Sequence, residues 1–255
     1  MLIHPKNSKR KIRIGTIFLA ALFLGGILYF YQNNAKENLD ITTPVPTGTI
    51  KPDTFSEEKQ EVAQSKIPQT LNLSVPFTPQ APTANWDELH NDACEEASII
   101  MAWAYFNSIT SLPPELVERE IDKLTKWQQD NYGYYLSITT PETARMAREV
   151  YGLNTEIVAM TEQNIKQALA ADKLVILPAQ GQLLGNPNFR APGPPYHMLV
   201  ITGWTRSQFI TNDPGTRRGE NYRYTFDTLY QATGNYYHET KTVNTNEKEM
   251  IVVSK

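Results

Sequence analysis

The sequence predicts an α+β fold in which a helical lobe packs on a mostly antiparallel sheet. Helical periodicity with capping signals occupies residues 94–171, and β-rich apolar runs occupy much of the chain that follows. This segregation of helices from strands along the chain is typical of α+β folds. A hydrophobic content of 40% over 255 residues is enough to build a substantial core.

The first predicted element is an edge strand over residues 71–75, where apolar and polar side chains alternate. A proline-rich loop over residues 77–91 follows it. Asp92 is then predicted to cap the first helix, with Glu95 three positions later. Apolar side chains continue beyond this point at helical spacing, so Cys94 is expected in the first turn of a helix.

Proline, threonine and glycine signals delimit three more helices. One opens at Pro113 and runs to about Gln129, one runs from Thr140 to Gly152, and one is capped by Thr161 and runs to about Ala171. Four β-rich runs follow, over residues 174–177, 198–204, 209–211 and 250–253.

The N-terminal segments are predicted to anchor the chain in a membrane. Residues 1–13 hold five basic groups and no acidic one, and residues 14–31 are uncharged and mostly apolar. A helix over 14–31 would be roughly 27 Å long, close to the ~30 Å hydrocarbon core of a bilayer. The positive-inside rule makes 1–13 a cytoplasmic tail and places everything after the single-pass signal-anchor outside the cell membrane. A cleaved signal peptide and a buried core helix are the alternatives.

The segment after the anchor lacks any sustained apolar period. Residues 32–68 are polar with several prolines and are therefore predicted to form a disordered tether. Residues 69–255 are predicted to form the folded domain.

Charge and cysteine content exclude several classes of partner. The formal net charge is −3, and because residues 1–13 contribute +5, the rest of the chain carries −8. An acidic body of this kind argues against a nucleic-acid partner. The single cysteine cannot form an intramolecular disulfide or a cysteine-rich metal site, and no H-E-x-x-H pattern occurs. Neither a metal nor a cofactor is expected.

Cys94 is the first candidate for chemistry. A helix N-terminus favours a thiolate by about 0.3–1 kcal/mol, less than the ~1.36 kcal/mol that corresponds to one pKa unit. Glu95 and Glu96 oppose even this effect. A reactive thiolate would therefore need a cationic partner, which in cysteine hydrolases is a histidine. The alternative is a buried cysteine that only fills the core.

Among the four histidines, His197 has the most rigid surroundings. It follows a Pro-Gly-Pro-Pro-Tyr segment and heads the apolar strand 198–204, so its backbone is fixed on both sides. His4 falls in the predicted cytoplasmic tail, His238 in a tyrosine-rich stretch, and His90 in the loop entering the first helix. A structural strand-end histidine is the alternative.

Hairpin geometry brings one carboxylate towards this histidine. The strand after the turn runs back antiparallel and ends at Asp213, which should therefore lie near His197 and orient its ring. Asn212 points the other way by alternation. Since Asp-Pro-Gly is also a strong turn sequence, a purely structural role for Asp213 stays open.

Acyl transfer also needs hydrogen-bond donors for the developing oxyanion. The backbone N–H of Cys94 is one candidate. The side-chain amide of Gln80, in the loop just upstream, is a second.

This order of residues resembles the papain-fold peptidases related to the bacteriocin-processing, double-glycine-leader cysteine peptidases. The similarity covers roughly residues 71–235, and it implies a papain-like fold. The roles it implies are oxyanion donor for Gln80, nucleophile for Cys94, general base and acid for His197, and orienter for Asp213. This chain departs from the family in the two glutamates after its cysteine. It also lacks a Walker motif, so the leader-peptide substrate is not carried over.

The sequence therefore predicts a membrane-anchored, extracytoplasmic cysteine peptidase or amide hydrolase. Its expected partners are a peptide, protein or cell-wall peptide substrate and the membrane itself, through the N-terminal helix. A catalytically inactive papain-fold binding module at the cell surface is the alternative. A glycan hydrolase using Asp87 and Glu88 is disfavoured, because carboxylates adjacent in sequence do not flank a scissile bond.

Overall fold

The computed structural model describes residues 67–255. The predicted tail, membrane helix and all but the end of the tether lie outside these residues. Within them, no helix combines the length and the apolar character needed to cross a membrane.

Sixteen elements follow one another along the described part of the chain. In order they are β1 Leu71–Asn72, α1 Glu88–Asn91, α2 Cys94–Phe106, α3 Pro114–Tyr132, α4 Thr140–Tyr151, β2 Asn154–Ala159, α5 Glu162–Ala170, β3 Leu174–Ala179, α6 Gly181–Leu184, β4 His197–Trp204, β5 Phe209–Asn212, β6 Tyr222–Tyr224, α7 Phe226–Ala232, β7 Asn235–Tyr237, β8 Thr242–Asn244 and β9 Glu249–Ser254.

A seven-stranded sheet forms the centre of the domain. Its strand order is β2-β9-β3-β4-β5-β6, with β1 paired to the end of β4, and every pairing is antiparallel. Strands β7 and β8 form a separate hairpin. The predicted α+β class with a mostly antiparallel sheet is thus confirmed.

The core lies between the helical lobe and the middle strands. Every residue of β3 and β4 is buried, and α2 packs against β4 with ten buried residues of its own. Helices α3 and α4 pack on α2 in turn. The position of α2 between sheet and helices means that its first turn enters the protein interior, which fixes Cys94 there.

The predicted N-cap of α2 is wrong. Ala93 occupies the cap position and makes no side-chain capping bond. Asp92 is instead the C-terminal cap residue of α1, and its carboxylate accepts a hydrogen bond from the Ser137 hydroxyl at 2.7 Å. Because α1 ends at this point, the backbone of Asp92 is used to finish one helix and cannot cap the next.

Two other boundaries differ from the prediction. The strand expected over residues 71–75 is regular for only two residues, although Leu73 still donates to Thr202 at 2.9 Å. Helix α3 continues past Gln129 and ends where Gly133 adopts a left-handed conformation with φ 82°.

Candidate active site

Cys94 is the first residue of α2 and is 3% exposed. Its thiol donates a hydrogen bond to Glu95 Oε2 at 2.9 Å. The other carboxyl oxygen of Glu95 accepts from the backbone N–H of Ile138 at 2.9 Å, so the carboxyl group is held from both sides. Burial, followed by the charge and hydrogen bond of Glu95, raises the pKa of the Cys94 thiol well above its usual range. The thiol is therefore neutral in this arrangement.

The structure brings His197 and Asp213 into direct contact. His197 Nε2 lies 2.8 Å from Asp213 Oδ1, and both side chains are almost completely buried. The register of β4 with β5 pairs Val200 with Asn212, so the residue after Asn212 falls beside the head of β4. Asn212 points elsewhere and donates to the Val75 carbonyl at 3.0 Å.

Three further donors converge on the Asp213 carboxylate. They are the Tyr224 hydroxyl at 2.6 Å, the Asn186 side-chain amide at 3.2 Å and the Gly215 backbone N–H at 3.0 Å. Burial alone would raise the pKa of Asp213, but its electrostatic interaction and hydrogen bond with His197 and the hydrogen bonds from Tyr224 and Gly215 outweigh it and lower the pKa below its usual value. Asp213 is thus held as a carboxylate in the interior.

The His197 ring is covered closely by the loop that follows Asp213. A Cβ atom at Gly215 would lie 2.9 Å from His197 Cε1 and 2.8 Å from Phe189 Cε1, so only glycine fits without rearrangement. Phe189 meets the imidazole edge to face, with ring centroids 5.3 Å apart. With Nε2 bonded to Asp213, Nδ1 is the ring nitrogen that remains for proton transfer.

Gln80 is buried between two segments of the site. Its backbone N–H donates to the Pro214 carbonyl at 2.9 Å, and its side-chain amide donates to the His90 carbonyl at 2.8 Å. One amide hydrogen is therefore committed to His90. The second has no acceptor among the described residues, and the amide oxygen is buried without a partner.

Of the four predicted site residues, the structure joins one pair directly. His197 and Asp213 are hydrogen-bonded, and Gln80 is tied to the residue after Asp213. No hydrogen bond joins the Cys94 thiol to His197 within residues 67–255. The thiol is turned towards Glu95 instead.

The structure also shows which side chains the two other described histidines contact. His90 lies between the carboxylates of Asp87 and Glu118, with its ring nitrogens at 2.7 and 2.8 Å. Burial lowers the pKa of His90, but these two carboxylates raise it by more, so that the net shift is upwards. His238 contacts Glu142 at 2.8 Å. Both rings are hydrogen-bonded to carboxylates, while His4 lies outside the described residues.

Several residues around the site were not predicted from the sequence. Asn186 and Tyr224 hold Asp213, and Phe189 covers His197. Tyr196, directly before His197, has a buried hydroxyl without a partner. Burial is the main reason that the pKa of Tyr196 is raised well above its usual value. Its position beside His197 in sequence was the one available signal.

No cluster of His, Cys, Asp and Glu side chains suited to a metal ion occurs in the part of the chain that the structure describes.

Comparisons with known proteins define the family. No curated protein matches the sequence. Among solved structures, a crystal structure titled as a C39-like peptidase from Bacillus anthracis is similar, with 15% sequence identity and a TM-score of 0.48. The alignment covers 74% of this chain and 98% of that one. The sequence model of the Peptidase_C39 like family matches residues 72–244, about two thirds of the chain. The chain therefore belongs to the Peptidase_C39 like family.

Proposed function

We propose that this protein is a cysteine peptidase that cleaves amide bonds with Cys94 as nucleophile, His197 as general base and acid, and Asp213 as orienter. The observation that carries the proposal is the buried His197–Asp213 hydrogen bond, because a carboxylate kept ionised in the interior has the chemistry of a histidine orienter. Membership of a peptidase family supports it independently.

The reaction begins with rotation of the thiol about the Cα–Cβ bond, away from Glu95. His197 Nδ1 then accepts the thiol proton, and the imidazolium that forms is stabilised by Asp213. The sulfur attacks the substrate carbonyl carbon, and the C=O electron pair moves to the oxygen. The proton passes from Nδ1 to the leaving amine as the C–N bond breaks, and water then hydrolyses the thioester with His197 again as base.

Two groups are suited to stabilise the oxyanion. The backbone N–H of Cys94 is in the first turn of α2, where no intrahelical acceptor exists. The free amide hydrogen of Gln80 is the second donor. Gln80 would need little reorganisation to bind the oxyanion, since its position is fixed by its hydrogen bonds to His90 and Pro214.

The proposal includes a location. Residues 14–31 anchor the chain in the cell membrane with residues 1–13 in the cytoplasm, and the domain acts outside on peptides, proteins or cell-wall peptides. Alkaline phosphatase fused after Lys255 tests this, because the reporter is active only outside the cytoplasm. An inactive fusion, with the protein present in membranes, would contradict the orientation.

One observation favours a second function, an inactive binding module. The Cys94 thiol is buried, hydrogen-bonded to a carboxyl group and has a raised pKa, all of which oppose nucleophilicity in the resting protein. In a binding module this arrangement would be permanent.

A digest of a broad peptide library separates the two functions. The full chain should cleave library peptides, and Cys94→Ala should abolish the cleavage while leaving the circular dichroism spectrum unchanged. Cys94→Ser is the matched control for size, and it should be at least about 100-fold slower because a hydroxyl is a far weaker nucleophile than a thiolate. Equal cleavage by the parent and Cys94→Ala would remove the peptidase assignment.

A further inference from the structure

A large cleft lies beside the His197 ring. It has a volume of about 880 Å³, within the range of small-molecule and peptide pockets. Gln80, Phe189 and Gly215 line it, so the cleft shares these three residues with the proposed active site. The segment 187–195, which is rich in proline, forms much of the remaining wall, and Trp86 stands at 41% exposure on the same cleft.

The charges that line this cleft are all positive. Arg190, Arg217 and Arg218 contribute to its wall, and no aspartate or glutamate does. All three arginines are exposed. None of their guanidinium groups takes part in a hydrogen bond or an ion pair within the described residues, although other arginines of the domain do, such as Arg145 with Glu149 at 2.7 Å. Three uncommitted guanidinium groups therefore face one cleft.

This local charge contrasts with the rest of the protein. Beyond residue 13 the chain carries a formal net charge of −8. A cleft of opposite sign to its surroundings concentrates the field on the ligand that enters it. The arginines of the loop after β5 lie only four and five residues after Asp213, so they are connected rigidly to the proposed orienter by a short segment whose Gly215 touches His197.

We infer that this cleft selects peptide substrates with carboxylate side chains. The inference rests on the proposed peptidase function and names its substrate class. Guanidinium groups pair with carboxylates in a planar two-point geometry, which supplies both attraction and orientation. The proline-rich wall and Trp86 supply apolar surface for the remainder of a peptide.

Two pools of fluorescein-labelled, acetylated octapeptides test the inference. Both are randomised at alternate positions, and the fixed positions carry glutamate in one pool and glutamine in the other. Binding is measured by fluorescence polarisation with full-length Cys94→Ala, and cleavage is measured by mass spectrometry with the parent chain. Binding without the nucleophile separates recognition from turnover.

The parent should prefer the glutamate pool by about tenfold in both assays, since each partly exposed ion pair contributes up to about fivefold. The double variant Arg217→Gln with Arg218→Gln should lower the ratio to about twofold, because only Arg190 then remains in the cleft. Arg206→Gln with Arg223→Gln is the matched control, because it removes two exposed arginines that do not line the cleft. It should keep the preference.

Salt supplies a measurement that needs no variant. Raising the ionic strength from about 0.05 to 0.5 M should shrink the preference, since exposed charges are then screened over a shorter distance.

The outcomes separate the two proposals. Cleavage of both pools at equal rates, or a preference that is undiminished in Arg217→Gln with Arg218→Gln, overturns the substrate class and leaves the peptidase standing. Preferential binding by Cys94→Ala without any cleavage by the parent overturns the peptidase and supports the chemistry of the cleft. Absence of both binding and cleavage overturns both.

Discussion

Replacement of Asp213 by alanine should destabilise the domain more than any conservative change in the same network. The carboxylate accepts from His197, Tyr224, Asn186 and Gly215 at 2.8, 2.6, 3.2 and 3.0 Å. Each buried donor left without a partner costs about 1–3 kcal/mol, and breaking a buried ion pair costs about 3–5 kcal/mol. Because water can enter the space left by the carboxylate and satisfy some donors, we expect a loss of about 4 kcal/mol.

Graded variants test the reasoning. Asp213→Asn keeps one acceptor oxygen and should cost about 2 kcal/mol, while Tyr224→Phe removes a single hydrogen bond and should cost about 1 kcal/mol. Urea unfolding of the full chain followed by tryptophan fluorescence is a suitable assay, because all four tryptophans lie beyond residue 85. With a slope of roughly 2 kcal/mol per molar urea, Asp213→Ala should lower the midpoint by about 2 M. A midpoint within about 0.3 M of the parent would refute the view of Asp213 as a buried acceptor for four donors, on the same slope.

Three further predictions follow from the geometry of the site. Alkylation of Cys94 by iodoacetamide at pH 7 should be at least about tenfold slower than that of free cysteine, because each unit by which a thiol pKa is raised lowers its thiolate fraction tenfold. The Glu95→Ala variant should be alkylated faster than the parent. A parent rate equal to that of free cysteine would contradict the buried, hydrogen-bonded thiol. Gly219→Ala should prevent folding, because a Cβ atom there would collide with the Asp213 carbonyl oxygen. A Cβ atom at Gly185 would have nothing within 4 Å, so Gly185→Ala should lower the free energy of unfolding by only about 1 kcal/mol. Thermal unfolding checks both, and equal melting temperatures for the two variants would contradict the collision. Since the pKa of Asp213 is lowered in the folded state, its ionisation stabilises the fold above the unfolded pKa of about 3.9, and this contribution is lost as the pH falls through the folded-state pKa. The difference in melting temperature between the parent and Asp213→Asn should therefore narrow below about pH 4. A difference that stays constant with pH would contradict the lowered pKa of Asp213.

The part of the site that depends on local chain geometry could be predicted from the sequence. A four-residue turn between β4 and β5 fixes the register of the hairpin, and the hairpin brings Asp213 to His197. Helical spacing after Cys94 likewise places the cysteine at the start of α2. Both predictions needed only contacts between segments close together along the chain.

The part that depends on distant contacts could not be predicted. The bond that holds Glu95 in place comes from Ile138, 43 residues away, so the sequence around Cys94 gave no sign that the thiol would turn to its neighbour. Strand β2 was missed because it pairs with β9 at the other end of the chain, and its half-exposed pattern resembles a loop. Asn186 reaches Asp213 from 27 residues earlier in the chain.

The hydrogen bond between the Cys94 thiol and Glu95 also affects how readily the sulfur is oxidised. Thiolates attack peroxides and disulfides, and a lone cysteine that is oxidised to a sulfenic acid has no second cysteine in this chain to capture it as a disulfide before further oxidation. Holding the sulfur in its protonated form, inside the protein, slows that damage. The same contact that lowers the reactivity of Cys94 therefore also protects it from oxidation.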